Sequence, residues 1–475
     1  MTGMIAVLPE LILSGLACLL FVIDPFIPRE KKTWVGYGAL AAVGLCALSL
    51  IPLCGSNLTA FSGMIVLDGY ALFFKALLLS ITAIVIAASI RYVQSERINL
   101  GEYYGLILFA TVGMLFLPSA ADLLSFYLSL ELMSMALYVL AAFMRKDPKS
   151  LESGIKYFLT GILTSGILLY GIALIYGLTG ATHLGTIRAY LAGGQITPTL
   201  VLAIVLLVAG FGFKIAAVPF HMWAPDVYEG APTPISAFLS TGSKIAVVAA
   251  MLRVFVFGLE SAYNVWWQIL WGLSVLTMTV GNVAALLQTN VKRMLAYSSI
   301  AQTGYILMGL IVPSEAGLSA ILLYSVAYVF MTLGAFSLII LICRTNMRGD
   351  RVGDFSGLAR QHPMAAAAFV LFALSLVGIP PTAGFVGKLF LFKAVILKEF
   401  YWLAIFAILN SVISLYYYFK VVVAMYMEEP TGEIPISSSP GLTVALGTMS
   451  AATLGIGLYP EPFIRAAQSA VEVFF

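Results

Sequence analysis

Four charged residues lie inside stretches that otherwise have the composition of membrane hydrocarbon: Glu131, Lys214, Lys244 and Lys388. Apolar residues flank each of them, as in FYLSLELMSMALYVL around Glu131 and STGSKIAVVAAML around Lys244. A charge at the bilayer centre costs about 2.5–3.5 kcal/mol or more on insertion scales. Four such groups point to use, and the chemistry that suits them is a proton or cation path. Lysine serves as a proton relay because burial favours its neutral form, while a nearby carboxylate restores the ammonium. A Glu–Lys pair whose separation changes can therefore load and release a proton on a neighbouring lysine. The competing reading of Glu131 and a lysine is an interhelical ion pair that only holds helices together.

Other polar residues carry less. His221 follows Pro219 in VPFHMWAPDVYEGAPTP, and a histidine's ordinary pKa of about 6.5 makes it a candidate shuttle. A hydrogen-bonded histidine at a helix end is the structural alternative. Lys75, Arg253 and Lys420 sit closer to span ends, where snorkelling or local packing accounts for them. Lys156 opens its span beside Tyr157 as an interfacial residue with a relay role open to it. Asp226 and Glu229 read as loop or contact residues, and His183 and His362 as loop residues without a role. The hydroxyls and amide of Ser298, Ser299, Gln302, Tyr305 and Tyr138 can carry waters or hydrogen-bond helices together, the commoner use.

The elements that must position these residues are membrane spans. The chain is 61% hydrophobic and only 10% charged, with a mean hydropathy of +1.01, whereas soluble domains are about a quarter charged. A transmembrane helix needs about 20 apolar residues, and no ten-residue alternation suggests a barrel. The expected fold is an all-α polytopic membrane protein of about fourteen spans, near residues 4–22, 34–52, 71–90, 104–119, 121–143, 155–178, 200–222, 232–257, 265–287, 294–312, 316–343, 364–392, 401–427 and 438–459. The connection at Leu117–Asp122 is a very short turn around Pro118. With the N-terminus outside, the inside loops hold fourteen Lys/Arg and the outside loops and termini four. The excess in such stretches as Arg29-Glu30-Lys31-Lys32, Arg145-Lys146 and Arg344 to Arg360 sets the orientation, with both termini outside. The first apolar run lacks a basic leader and reads as the first span. Cys18, Cys46, Cys54 and Cys343 form no CxxC pair, so no iron–sulfur or zinc site is expected. Nucleotide-binding glycine fingerprints are absent too. If the chain serves a redox or ATP-driven machine, the cofactors sit on other chains.

Two segments echo each other. GFGFKIAAVPF (210–220) and IPPTAGFVGKLF (379–390) both contain G-F-x-x-K, ending at Lys214 and Lys388, and both carry proline within the span. The expected topology runs them in opposite directions, as in an inverted repeat. Interrupted helices at corresponding places in two inverted halves mark the ion sites of transporters. Proline frees a backbone carbonyl, and such groups need water or polar partners within lipid.

Four ordered motifs give these residues a family context: ELMSMALYVL (131–140), FKIAAVPFHMWAPDVYEGAPTPISAFLSTGSK (213–244), VKRMLAYSSIAQTGY (291–305) and LSLVGIPPTAGFVGK (374–388). Together they resemble the subunit N family of bacterial NADH-quinone oxidoreductase, respiratory complex I, within the multisubunit Na+/H+ antiporter-like proteins. The resemblance spans essentially the whole chain. It implies fourteen helices with broken helices 7 and 12, arranged as an N-terminal three-helix segment (1–95), a five-helix repeat (104–257), an inverted second repeat (265–427) and a C-terminal helix with tail (438–475). It implies the fifth-span glutamate role for Glu131, the broken seventh-span lysine for Lys214, the eighth-span lysine for Lys244 and the broken twelfth-span residue for Lys388. Lysine at 388 distinguishes the chain from the M-type subunit, which carries glutamate there, and the L-type lateral helix is absent. NADH, FMN, iron–sulfur clusters and quinone are implied on other subunits. The implied partners are an M-type neighbour, small K/J/A-type subunits and the bilayer of the bacterial inner membrane, and no nucleic acid.

On this reading a proton is taken up near Lys244 and His221, passes to Lys388 and leaves outside, with the Glu131–Lys214 pair setting the proton affinity of Lys214. One rival is a secondary cation/proton antiporter without redox partners, which glutamate at 388 would have favoured. Another is a membrane-arm spacer that no longer pumps, in which Lys214→Ala and Lys388→Ala would change assembly but not turnover.

Overall fold

The structure, a computed structural model, describes residues 2–28, 31–96, 98, 100–342, 350–430, 432–434, 436 and 438–475. Cys343 and the basic stretches at Arg29-Glu30 and Arg344 lie outside the described residues. Apolar composition over long runs dictates helix here, because in lipid every backbone N–H and C=O must find its partner within the segment. Among the described residues eleven helices are long and apolar enough to cross a membrane. Three further expected positions also hold helix: Pro198–Lys214 and Pro363–Val377, which are shorter, and Val291–Leu310.

Burial orders the bundle. The Thr233–Gly258 helix is buried over 100% of its apolar window and Glu315–Ile342 over 94%, against 28% for Leu8–Phe26 and Pro440–Leu458. Lys244 and the tyrosines of the second helix therefore lie at the centre, and the first and last spans at the periphery. Within Thr233–Gly258 the winding loosens to π-helix over Leu239–Ser243, directly before Lys244, and again over Leu252–Gly258. Such π-helical turns shift side chains out of the regular register and often occur at functional sites.

The Leu117–Asp122 connection is as tight as expected. Helix Gly101–Phe116 ends in a 3-10 turn at Leu117–Ser119, and Asp122 caps Leu123–Ala141 by accepting from the N–H groups of Leu124 and Ser125. Two elements escaped sequence reading. A short antiparallel hairpin pairs Leu58–Ala60 with Ile65–Leu67, and an amphipathic helix, Glu461–Val471, follows the last long helix.

The two proline segments interrupt their helices. Helix Pro198–Lys214 stops at Lys214 and helix resumes at Trp223. Pro363–Val377 stops at Val377 and helix resumes at Ala383. The Val218–Pro219 and Pro380–Pro381 bonds are cis. The G-F-x-x-K echo is out of step with these interruptions: Lys214 precedes its gap, whereas Lys388 follows its own.

Helices Tyr263–Leu286 and Val291–Leu310 touch backbone to backbone. A Cβ on Gly281 would lie 2.7 Å from Ala301 N, and one on Gly304 would lie 2.8 Å from Met278 N and 2.9 Å from Ser274 O. Small residues permit this approach, and Ser274 Oγ donates to Gly304 O across it at 2.7 Å. Gly281→Leu is expected to force the pair apart and to destabilise the assembly by about 1–3 kcal/mol or more. A lowered unfolding temperature of the purified protein would show it, and an unchanged one would mean the crossing relaxes freely.

Candidate functional site

Three buried lysines form three stations. At the first, Lys214 Nζ lies 3.6 Å from Glu131 Oε1. It donates to Ser134 Oγ at 2.8 Å and to Tyr138 Oη at 3.4 Å. Glu131, Ser134 and Tyr138 follow one another at spacings of three and four on the Leu123–Ala141 helix, so they share one face. Ser165 Oγ donates to Glu131 Oε1 at 2.6 Å. Gly161 makes room for the tyrosine, since a Cβ there would sit 2.1 Å from Tyr138 Oη.

The interruption after Lys214 is held by polar groups of other helices. Thr277 Oγ1 accepts from Val218 N at 3.0 Å, and Trp223 Nε1 donates to Phe213 O at 3.0 Å. Thr303 Oγ1 donates to Ile215 O at 3.1 Å. His221 lies in this interruption and is buried, and its Nδ1 finds no hydrogen-bond partner among the described residues.

Thr303 leads to the second station. Lys244 Nζ donates to Ser299 O at 3.0 Å, to Ser299 Oγ at 2.7 Å and to Thr303 Oγ1 at 3.2 Å. Tyr328 Oη shares a 2.8 Å hydrogen bond with Ser299 Oγ and donates to Ser240 O at 2.8 Å. The third station sits on the second interruption. Lys388 Nζ donates to the freed carbonyls of Leu376 at 3.0 Å and Val377 at 2.8 Å, and to Ser411 Oγ at 3.0 Å. It lies 4.4 Å from the centre of the Tyr305 ring. Gly378 is required here twice over: its φ is +93°, and a Cβ would meet Lys388 Cδ at 2.9 Å.

The stations differ in charge. Glu131 stands beside Lys214, but among the described residues no carboxylate pairs with Lys244 or Lys388. Their ammonium groups meet only hydroxyls, carbonyls and ring faces, groups that accommodate an ammonium or an amine without leaving an unpaired anion behind.

Lys75 and Arg253 do not snorkel. Lys75 Nζ lies 2.7 Å from Glu10 Oε1 with both side chains at 0% exposure. Neither Glu10 oxygen nor the ammonium has a further hydrogen bond among the described residues. Arg253 Nη2 donates to Asp68 Oδ1 at 2.7 Å and Oδ2 at 2.8 Å, and its Nε donates to Pro118 O. The half-buried Lys420 donates to Gln288 O at 3.2 Å, a local packing role. Neither Glu10 nor Asp68 stood out in the sequence beforehand. Glu10 carried a signal, an acid opening the first apolar run at LPELILSG.

Asp226 and Glu229 lie on the Trp223–Gly230 helix, not in a loop. Asp226 receives Lys156 Nζ and Arg293 Nη1, each at 2.7 Å, and Glu229 receives Lys149 Nζ at 2.9 Å and Arg293 Nη1 at 3.2 Å. Burial works against the Asp226 carboxylate, but Lys156 and Arg293 outweigh it and hold the carboxyl below its ordinary value. Glu229 is lowered in the same way, burial being outweighed by Lys149 and Arg293. The half-exposed Lys156 thus sits in a charged cluster that ties three helices together. His183 borders Asp122 in a short β-bridge, and His362 Nε2 contacts Ile434 O at 2.8 Å.

Known proteins share this architecture. The family described as NADH:quinone oxidoreductase/Mrp antiporter, TM, matches residues 120–414. NADH-quinone oxidoreductase subunit N of Trichlorobacter lovleyi is 43% identical over 470 residues, covering 98% of this chain and 96% of the relative. The same-named protein of Desulforamulus reducens is 42% identical over 467 residues, covering 98% and 97%. A chain of respiratory complex I from Thermus thermophilus superposes with a TM-score of 0.83 at 34% identity, covering 96% of this chain and 98% of that one. A chain of the Mrp complex from Dietzia sp. reaches a TM-score of 0.86 at 22% identity, covering 100% and 98%, a likeness of fold alone. On full-length identity of this order, the chain belongs to the NADH-quinone oxidoreductase subunit N family, within the NADH:quinone oxidoreductase/Mrp antiporter group.

Proposed function

We propose that this chain is the proton-translocating, antiporter-like subunit in the membrane arm of an NADH-quinone oxidoreductase. The observation that carries the reading is the set of three buried lysines, each seated on hydroxyls or freed carbonyls, in a chain of this family. Glu131 sets the charge state of Lys214. Lys244 takes up a proton from the inside half, with His221 as shuttle, and Lys388 passes it outward. Electron transfer from NADH to quinone on other subunits drives the cycle, and FMN and iron–sulfur clusters reside there too. An antiporter without redox partners has only the shared fold in its favour.

In this reading the molecule spans the bacterial inner membrane fourteen times, with both termini on the periplasmic side. An N-terminal three-helix segment (1–95) precedes two inverted five-helix repeats (104–257 and 265–427) and a C-terminal helix (438–475). The interruptions at 215–222 and 378–382 support the inverted pairing, while the displaced G-F-x-x-K echo lends it nothing. An M-type antiporter-like subunit and small K/J/A-type subunits are its neighbours.

Lys214→Ala tests the reading in membrane vesicles. NADH–quinone turnover and ΔpH formation are expected to fall together, about tenfold, in complex that still assembles. Assembled complex running at normal rate with a full gradient would make Lys214 structural and defeat the relay.

A further inference from the structure

Two cross-helix rungs lie between Lys244 and Lys388. Ser299 and Gln302 are three residues apart on Val291–Leu310, and Tyr328 and Tyr324 are four apart on Glu315–Ile342. Each pair meets: Ser299 Oγ with Tyr328 Oη, and Tyr324 Oη donating to Gln302 Oε1. The spacing places the rungs one helical turn apart. Lys244 Nζ donates to the serine of the first rung at 2.7 Å. The glutamine of the second rung donates from Nε2 to Leu376 O at 3.0 Å, the same carbonyl that accepts Lys388 Nζ. All four rung residues are buried.

The rungs differ in what they can conduct. A hydroxyl accepts a proton on a lone pair and releases its own, so Ser299, Tyr328 and Tyr324 can each pass one on. A primary amide donates only from nitrogen and accepts only at oxygen. It keeps a hydrogen-bonded chain in place without relaying along it. Gln302 is thus a non-conducting link between the Tyr324 hydroxyl and the Leu376 carbonyl on which Lys388 Nζ also rests, with both ends of its side chain engaged.

We infer that Gln302 is a gate between Lys244 and Lys388, closed while its amide bridges Tyr324 Oη and Leu376 O. A carbonyl oxygen has two lone pairs, and here Gln302 and Lys388 take both. A shift of Lys388 away from Leu376 O therefore changes what holds the amide, and the amide's position changes what Lys388 can reach. Coupling through one shared acceptor makes opening depend on the state of the exit lysine, which prevents protons from running back through an unengaged path. Gln302 acts as a positioning residue: it takes up no proton itself.

The inference rests on the proposed role of Lys388, and the test separates the two. Vesicles carrying assembled complex with Gln302→Glu are given an imposed pH gradient without NADH, and its decay is followed. The glutamate keeps the shape of the amide but can relay a proton. The gradient is expected to decay severalfold faster than in wild type, and the ΔpH formed per NADH oxidised to fall. A purely structural role would move neither ratio. Wild-type decay and wild-type ΔpH per NADH in assembled complex would overturn the gate. Should Gln302→Glu not assemble, Gln302→Asn takes its place. Its amide is too short to bridge Tyr324 and Leu376 O, so the same faster decay is expected and its absence is equally decisive. If Lys388→Ala pumps normally, the proton path itself fails; if Lys388→Ala is inactive while Gln302→Glu is tight, only the gate fails.

Discussion

Replacing Lys388 by alanine is expected to lower proton pumping and coupled NADH–quinone turnover by about a hundredfold, the lower end of what a positioned proton-transfer group supplies. The loss has two parts. On the proposed relay alanine removes the proton carrier, and it leaves the Val377 carbonyl without the ammonium that satisfies it and the Leu376 carbonyl with the Gln302 amide alone. Lys388→Arg separates these. Arginine can still donate to freed carbonyls, but its guanidinium does not release its proton in proteins. Lys388→Arg is therefore expected to assemble and yet to pump as poorly as the alanine variant. Rates and ΔpH in vesicles, normalised to assembled complex, decide the matter. An arginine variant with wild-type pumping would make Lys388 a plug for the interrupted helix.

The second large effect is on stability. Arg253 joins the cap residue of Gly69–Ser95 to the turn at Leu117–Ser119 from a π-helical stretch of the central helix. Asp68 also accepts from Ala71 N at 2.8 Å, and the guanidinium stacks 4.8 Å from the centre of the Tyr70 ring. Arg253→Ala strands a buried carboxylate, a change that typically costs about 3–5 kcal/mol. The yield of assembled complex and its unfolding temperature should both drop. Adding Asp68→Asn to Arg253→Ala is expected to recover part of the loss, because the unpaired charge goes with it. A double variant no better than Arg253→Ala would show that packing against Tyr70, not the charge, is what matters.

The sequence made the membrane class legible because helices in lipid are long and apolar by necessity, and it made Glu131, Lys214, Lys244 and Lys388 legible because ions in such stretches are rare. Beyond the Glu131–Lys214 pair, their partners were not legible. Ser299 and Thr303 stand 55 and 59 residues from Lys244, and nothing local in the chain marks which serine a lysine will meet. Lys75 and Arg253 were read as snorkelling or locally packed, and their buried ion pairs were not legible for the same reason: position along a span says how far the water is, not whether an acid waits on another helix. The G-F-x-x-K echo misled differently. It matched three letters in a window of five, whereas the backbone interruption falls after one copy and before the other.

The Glu10–Lys75 pair has a consequence for how such chains change over generations. Its members are on different helices, fully enclosed, with no other partner for either charge among the described residues. A lineage that loses the lysine first carries a lone carboxylate in the interior, and one that loses the glutamate first carries a lone ammonium; either intermediate is far less stable than both endpoints. A well-packed apolar pair would be as stable as the ionic one, yet no single step leads there. The two positions should therefore be found charged together or apolar together across the subunit N family, with mixed states rare. An alignment rich in glutamate at 10 without lysine at 75 would show that the enclosure relaxes more readily than its geometry implies.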